Sequence, residues 1–199
     1  MNKILKNTLI LTAITVVSGL LLGFVYELTK GPIAVQEELA KAEAYAEVFP
    51  EADSFRELED LEGAAVYLAS SAYSAVEINE VAEACDASGN VLGHVFNVTT
   101  PEGYGGDIQL TVGIQNDKTI LGVSFLSISE TAGLGMNAKN QSFLDQFLGK
   151  SGEIGVAKNN PSDTEIQALT GATITSSAMA TAVNTALSLY AEIGGGQNG

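Results

Sequence analysis

Tryptophan is absent from the 199 residues, and cysteine and histidine occur once each. A single cysteine, Cys85, excludes an internal disulfide framework, an iron–sulfur cluster on four thiolates of this chain, and a cysteine-rich zinc site. A single histidine, His94, excludes a histidine-clustered metal centre and a haem with two histidine ligands from this chain. Positive charge is scarce: 9 Lys and Arg stand against 24 Asp and Glu, for a net charge of -15. Nucleic acid is therefore not a partner, because too few cations are available to neutralise phosphates. Charged residues of both signs make up only 17%, below the roughly 25% of ordinary soluble chains, while hydrophobic residues make up 46%. Part of this chain is expected to lie outside water. Aliphatic residues are too plentiful for a disordered chain.

The part outside water is readable. Asn7–Tyr26 (NTLILTAITVVSGLLLGFVY) carries no charge. As a helix it would extend about 30 Å, the thickness of a hydrocarbon core. Lys3 and Lys6 precede it, and Glu27, Glu37 and Glu38 follow. The positive-inside rule then keeps residues 1–6 in the cytoplasm and puts the rest outside, with the transmembrane helix over 7–28. A cleaved signal peptide is the competing reading, but the run is long for one and no A-x-A site closes it. Lys30-Gly31-Pro32 is expected to end the helix.

Beyond the anchor, Val35–Phe49 has helix formers and apolar residues at helical spacing, with Pro50 as its stop. The acidic stretch Ala52–Leu61 is expected to form a second short helix, so that 29–75 becomes a helical connector. From Val76 the pattern turns to strands. Glu77–Ala84 and Val91–Val98 flank the turn Asp86–Asn90 and read as a hairpin. Asp107–Gln115 alternates polar and apolar residues, Asn116-Asp117-Lys118 is a turn, and Thr119–Ile128 is a further strand. Gln141–Leu148 reads as a short helix and Thr175–Ile193 as a long final one, with Val183, Ala186, Leu187 and Tyr190 on one side; 194–199 is a tail. Strands in the middle with helices at the ends give an α+β domain over 76–193.

No catalytic set of side chains is legible. His94 sits in an apolar strand pattern with Leu92 and Phe96 on one face, which suits a packing role. Cys85 stands at a strand end and reads as a half-buried residue. Three segments stand out instead. Gly103-Tyr104-Gly105-Gly106 is a flexible turn with one aromatic, where backbone can approach a ligand and Tyr104 can lie against a flat ring. Glu130-Thr131-Ala132-Gly133-Leu134-Gly135 is a second Gly-rich, hydroxylated turn at the end of a strand. Thr170-Gly171-Ala172-Thr173-Ile174-Thr175-Ser176-Ser177 immediately precedes the final helix. Amides and hydroxyls there offer an anion site aided by the helix dipole; a plain Thr or Ser cap is the alternative.

In this order, GYGGDI at 103–108, SETAGLG at 129–135 and TGATITSS at 170–177 behind an N-terminal anchor resemble the flavin-binding domain of respiratory pumps. The resemblance is to the G subunit of the Rnf complex, with the longer C subunit of the sodium-pumping NADH:quinone oxidoreductase as its sister. It covers roughly residues 1–193, and its last motif is the most specific. It implies FMN covalently bound through its phosphate to Thr173, with Thr170, Gly171 and Ala172 completing the sequence that a flavin transferase recognises. Thr175 and Ser176 join the phosphate end, and Tyr104, Gly105, Glu130, Thr131, Gly133, Leu134 and Gly135 join the ring end. Three residues before Thr170 the family often has Asp, and this chain has Gln167. The resemblance further implies an inner-membrane electron-transfer subunit, partnered by the other membrane subunits of a ferredoxin:NAD oxidoreductase that exports sodium ions or protons. So acidic a chain would lower the flavin's potential. A stand-alone extracytoplasmic FMN carrier, or a non-redox anchored module, are the alternatives.

Overall fold

The computed structural model describes residues 2–58 and 73–195. The chain divides into two compact units, Met1–Lys41 and Ala42–Gly199. Helix α1 runs without interruption over Lys3–Val48, with Pro32 inside it. The expected stop at Lys30-Gly31-Pro32 is therefore not there. Proline removes one backbone bond from a helix of 46 residues, and the helix formers that follow carry the helix on to Val48. Among the described residues α1 is the one helix long and apolar enough to cross a membrane, and none of its most apolar 18-residue window is buried. Thr8, Thr15 and Thr29 donate their hydroxyls back to carbonyls three or four residues earlier, at 2.9 to 3.3 Å. These bonds make the hydroxyls compatible with an apolar surrounding.

In the second unit, five antiparallel strands form one sheet in the order of the chain: β1 (Ser54–Glu57), β2 (Glu77–Cys85), β3 (Val91–Thr100), β4 (Ile108–Gln115) and β5 (Ile120–Ile128). The turn at Asp86 closes β2 on β3 because its carboxylate accepts from the amides of Ser88 and Asn90, both at 2.8 Å. Strand β1 replaces the short helix expected over Ala52–Leu61; residues 59–61 of that stretch lie outside the described residues. Tertiary pairing overrides the local acidic pattern here: Arg56 faces Glu83 across the sheet and is ion-paired with it, and Phe55 packs edge-on against Tyr45 at 5.3 Å.

Both faces of the sheet are covered, so β3 is buried over most of its length. On one face, Val81, Phe96, Val98, Leu110 and Val112 pack with Met179, Val183, Ala186 and Leu189 of the final helix, α3 (Thr173–Gly195). On the other face, Ala82, Ala84 and Val95 pack with Tyr45, Val48 and Phe49 at the end of α1. That end comes so close that a Cβ on Gly122 would lie 2.7 Å from the Cα of Val48. Between β5 and α3 the chain forms a 3-10 turn at Gly135–Lys139, a single helical turn α2 (Gln141–Leu144), and a two-stranded parallel ladder of β6 (Gly155–Ala157) and β7 (Glu165–Gln167). The ladder has no counterpart in the sequence reading.

His94 lies in the α3-facing core, where its ring meets Tyr190 edge-on at 5.4 Å. Leu92 is not on that face. The register slips between Ala84 and Cys85, leaving Leu92 as the extra residue of a bulge, and it packs against the α1 side. The Nδ1 atom of His94 is buried and has no hydrogen-bond partner among the described residues. Burial holds its pKa below the usual histidine value, with the neighbouring Glu83 opposing the shift. A depressed folded-state value means that folding expels a proton. Stability is then level above the ordinary histidine pKa of about 6.5 and falls as pH drops below it. The carboxylates with lowered pKa, Asp86, Asp117 and Glu165, titrate below this window. The melting temperature of the parent is thus expected to fall between pH 7 and 5.5, and that of His94→Gln to fall distinctly less.

Candidate functional site

The three Gly-rich segments of the sequence converge at the N-terminal end of α3. There they enclose an open cavity of about 510 Å³. It is lined by Tyr104, Glu130, Thr131, Leu134 and Gly135 together with Gly171, Ala172, Thr173, Ile174 and Thr175. A smaller hollow of about 270 Å³, lined by Glu102, Ile174, Ser177 and Ala178, also reaches Thr173. Thr173 therefore borders both hollows.

Local chemistry explains how α3 starts here. The first helical bond runs from the amide of Ser176 to the carbonyl of Ala172 at 3.1 Å. That makes Ala172 the N-cap residue and Thr173 the first residue of the helix, two positions earlier than the sequence pattern implied. Alanine has no side-chain acceptor for the first-turn amides. Accordingly, among the described residues, the amides of Thr173, Ile174 and Thr175 have no acceptor. The reading of this segment as an ordinary Thr or Ser cap does not hold, since neither residue type occupies the cap. Gly171 supplies the left-handed turn that leads in, with φ of 77°. A side chain there would be strained and would crowd Leu134 at 3.1 Å.

The turn is fixed from within by Ser176. Its hydroxyl is buried, donates to the carbonyl of Ala172 at 3.0 Å and accepts from the amide of Leu169 at 2.9 Å. Leu169 in turn accepts from the amide of Ala172 at 3.0 Å. Ser176 thus ties the whole 169–172 turn to the helix and does not line the cavity. The other two turns are tied together by Glu130, whose Oε1 accepts from the amide of Tyr104 at 2.8 Å. Of the residues singled out in the sequence, Thr170, Gly105 and Gly133 are exposed and also stand outside the lining. Ile174 lines both hollows and was missed. Its signal was an isoleucine in the first turn of a helix whose apolar stripe begins later, and it is 54% exposed. With Tyr104 at 71% and Leu134 at 43% it gives the cavity an apolar, solvent-facing rim.

A phosphate-bearing planar cofactor fits these features. Three free amides at a helix N-terminus match an anion, and an apolar rim of this area matches a ring system. Among the described residues no group of His, Cys, Asp and Glu is placed to hold a metal ion.

Comparison with known proteins supplies the family. Residues 103–188 match the FMN-binding domain family, and residues 1–48 match the RnfG N-terminal region. The chain is 32% identical over 198 residues to the G subunit of the Na(+)-translocating ferredoxin:NAD(+) oxidoreductase complex of Acetobacterium woodii, spanning 94% of this chain and 91% of that one. It is 30% identical over 198 residues to the G subunit of the proton-translocating ferredoxin:NAD(+) oxidoreductase complex of Clostridium ljungdahlii, spanning 98% and 96%. A solved structure, the C subunit of the Na(+)-translocating NADH-quinone reductase from Parabacteroides distasonis, overlaps 60% of this chain and 63% of its own at 25% identity, with a TM-score of 0.47. The fold and site thus define an FMN-binding domain behind an apolar N-terminal helix. The chain belongs to the family of G subunits of Rnf-type ion-translocating oxidoreductase complexes, and within it is an electron-transfer subunit.

The tie made by Ser176 can be measured. Ser176→Ala leaves the Leu169 amide without its acceptor inside the protein, a loss of about 1–3 kcal/mol. Denaturant unfolding should show that loss for Ser176→Ala and no change beyond error for the exposed Thr170→Ala.

Proposed function

We propose that this chain is a single-pass membrane flavoprotein that relays electrons through FMN held covalently at Thr173, as one subunit of a ferredoxin:NAD oxidoreductase that exports sodium ions or protons. The observation that carries the reading is the hydroxyl of Thr173 at the first position of an uncapped helix, on the edge of the 510 Å³ cavity. Bound there, FMN would supply reversible electron uptake and release, which no side chain of this cavity supplies.

Each part of the site has a task in that role. The Thr173 hydroxyl is the attachment point. The amides of Thr173, Ile174 and Thr175 stabilise the negative charge that a phosphodiester keeps, an effect of about 0.3–1 kcal/mol at an exposed helix end. Tyr104, Leu134 and Ile174 offer apolar surface to the ring and displace water from it. Covalent attachment has a physical reason if the domain lies outside the cytoplasm: dissociation into a large external volume would not be reversed. A flavin transferase is then a partner in maturation, and the other membrane subunits are the partners in function. Residues 1–6 would lie in the cytoplasm, with Lys3 and Lys6 holding them there.

Two experiments test this. After expression with a flavin transferase, intact mass should show FMN on the parent and on Thr175→Ala, and none on Thr173→Ala, with circular dichroism unchanged in all three. FMN retained by Thr173→Ala would refute the assignment. For orientation, protease added to right-side-out vesicles should digest the chain beyond Lys41; full protection until lysis would place the domain on the cytoplasmic side.

A further inference from the structure

Glu130 is enclosed in a way that neither the helix end nor the ring surface requires. It is 9% exposed and lines the cavity. Its Oε1 accepts from the Tyr104 amide at 2.8 Å, and a Cβ on Gly103 would stand 3.1 Å from that oxygen. A Cβ on Gly135 would stand 2.6 Å from the other oxygen, Oε2, and 2.7 Å from the hydroxyl oxygen of Thr175. Both Gly-rich turns therefore close on this one carboxyl group, and a side chain at Gly135 would displace it. Oε2 has no hydrogen-bond partner among the described residues, yet it is not among the sealed and unsatisfied atoms. Among the described residues no Lys, Arg or His lines that cavity, and Glu130 is the one carboxyl group that does. The ion pairs among the described residues do not involve it.

Resting on the reading of this cavity as the flavin site, we propose that Glu130 is a positioning residue whose carboxylate sets the reduction potential of the bound FMN. A negative charge held in this cavity disfavours the arrival of another electron, and among the described residues no cation lines the cavity to cancel the effect. The same charge at the exposed Asp107 is screened by water. Glu130 thus makes the flavin a weaker oxidant, and the two Gly-rich turns keep that charge fixed in place.

Potentiometric titration of the full-length, flavin-bearing protein in detergent tests the proposal. Glu130→Gln keeps an oxygen to accept from the Tyr104 amide and removes the charge. It should raise the midpoint potential, with FMN still attached at Thr173. Asp107→Asn should leave the potential at the parent's value, and Glu130→Asp should lie nearer the parent than Glu130→Gln. The flavin-free proteins give an independent readout: Glu130→Gln should melt close to the parent, whereas Glu130→Ala, which loses the Tyr104 tie, should melt lower. A Glu130→Gln protein with the parent's potential, or without flavin where the parent carries it, overturns the inference. A parent that carries no FMN at all overturns instead the reading of the cavity on which the inference rests.

Discussion

Helix α3 begins on an alanine, and this sets the character of the site. The sequence around it is rich in Ser and Thr, yet the N-cap position is Ala172, so the amides of Thr173, Ile174 and Thr175 are left without acceptors among the described residues. Free amides at the positive end of a 23-residue helix carry an energetic cost that an anion removes. The turn that leads into the helix is held by Gly171 in the left-handed region and by the buried hydroxyl of Ser176. One serine is thus spent on fixing the turn, while the hydroxyl of Thr173 stays exposed beside the amides.

The rest of the second unit keeps that helix end still. Its sheet is a simple antiparallel meander covered on both faces, by α3 on one side and by the end of α1 on the other. Met179, Val183, Ala186 and Leu189 anchor α3 to the centre of the sheet. The turns that carry Tyr104 and Glu130 are direct extensions of strands β3 to β5, so they inherit the rigidity of the sheet. The large acidic excess of the chain resolves into two kinds of group. Among the described residues most carboxylates are solvated, and the two buried ones are Glu83, paired with Arg56, and Glu130, enclosed where a cofactor's charge would be felt.

What could be read from the residues follows the range of the forces involved. The hairpin at Asp86–Asn90 and the strands either side of Lys118 were legible because turn chemistry and alternation are local. The three site segments were legible as Gly-rich turns, and the role proposed for Thr173 comes from the family resemblance. The start of α3 was placed two residues late because Thr173 and Ile174 look like a cap sequence until Ala172 is seen to accept the first bond. Pro32 was read as a stop because the rule for helix interiors weighs one lost bond and not the length of helix on either side. Strand β1 and the ladder of β6 and β7 depend on partners distant in the chain, and no local pattern announces them. The link from Glu130 to Gly103 and Gly135 is likewise a product of the fold, although all three residues lay within segments already marked.

The central claim is that an uncapped helix start at Thr173 holds the flavin phosphate. Lys158 is the last basic residue, so trypsin releases residues 159–199 as one peptide containing every candidate hydroxyl of the α3 N-terminus. Fragmentation mass spectrometry of that peptide, from protein matured with its transferase, localises the modification directly. The account predicts a flavin phosphate on Thr173, with Thr170, Thr175, Ser176 and Ser177 unmodified. The same group on any of those four, or a peptide with none while the protein carries flavin, would contradict it.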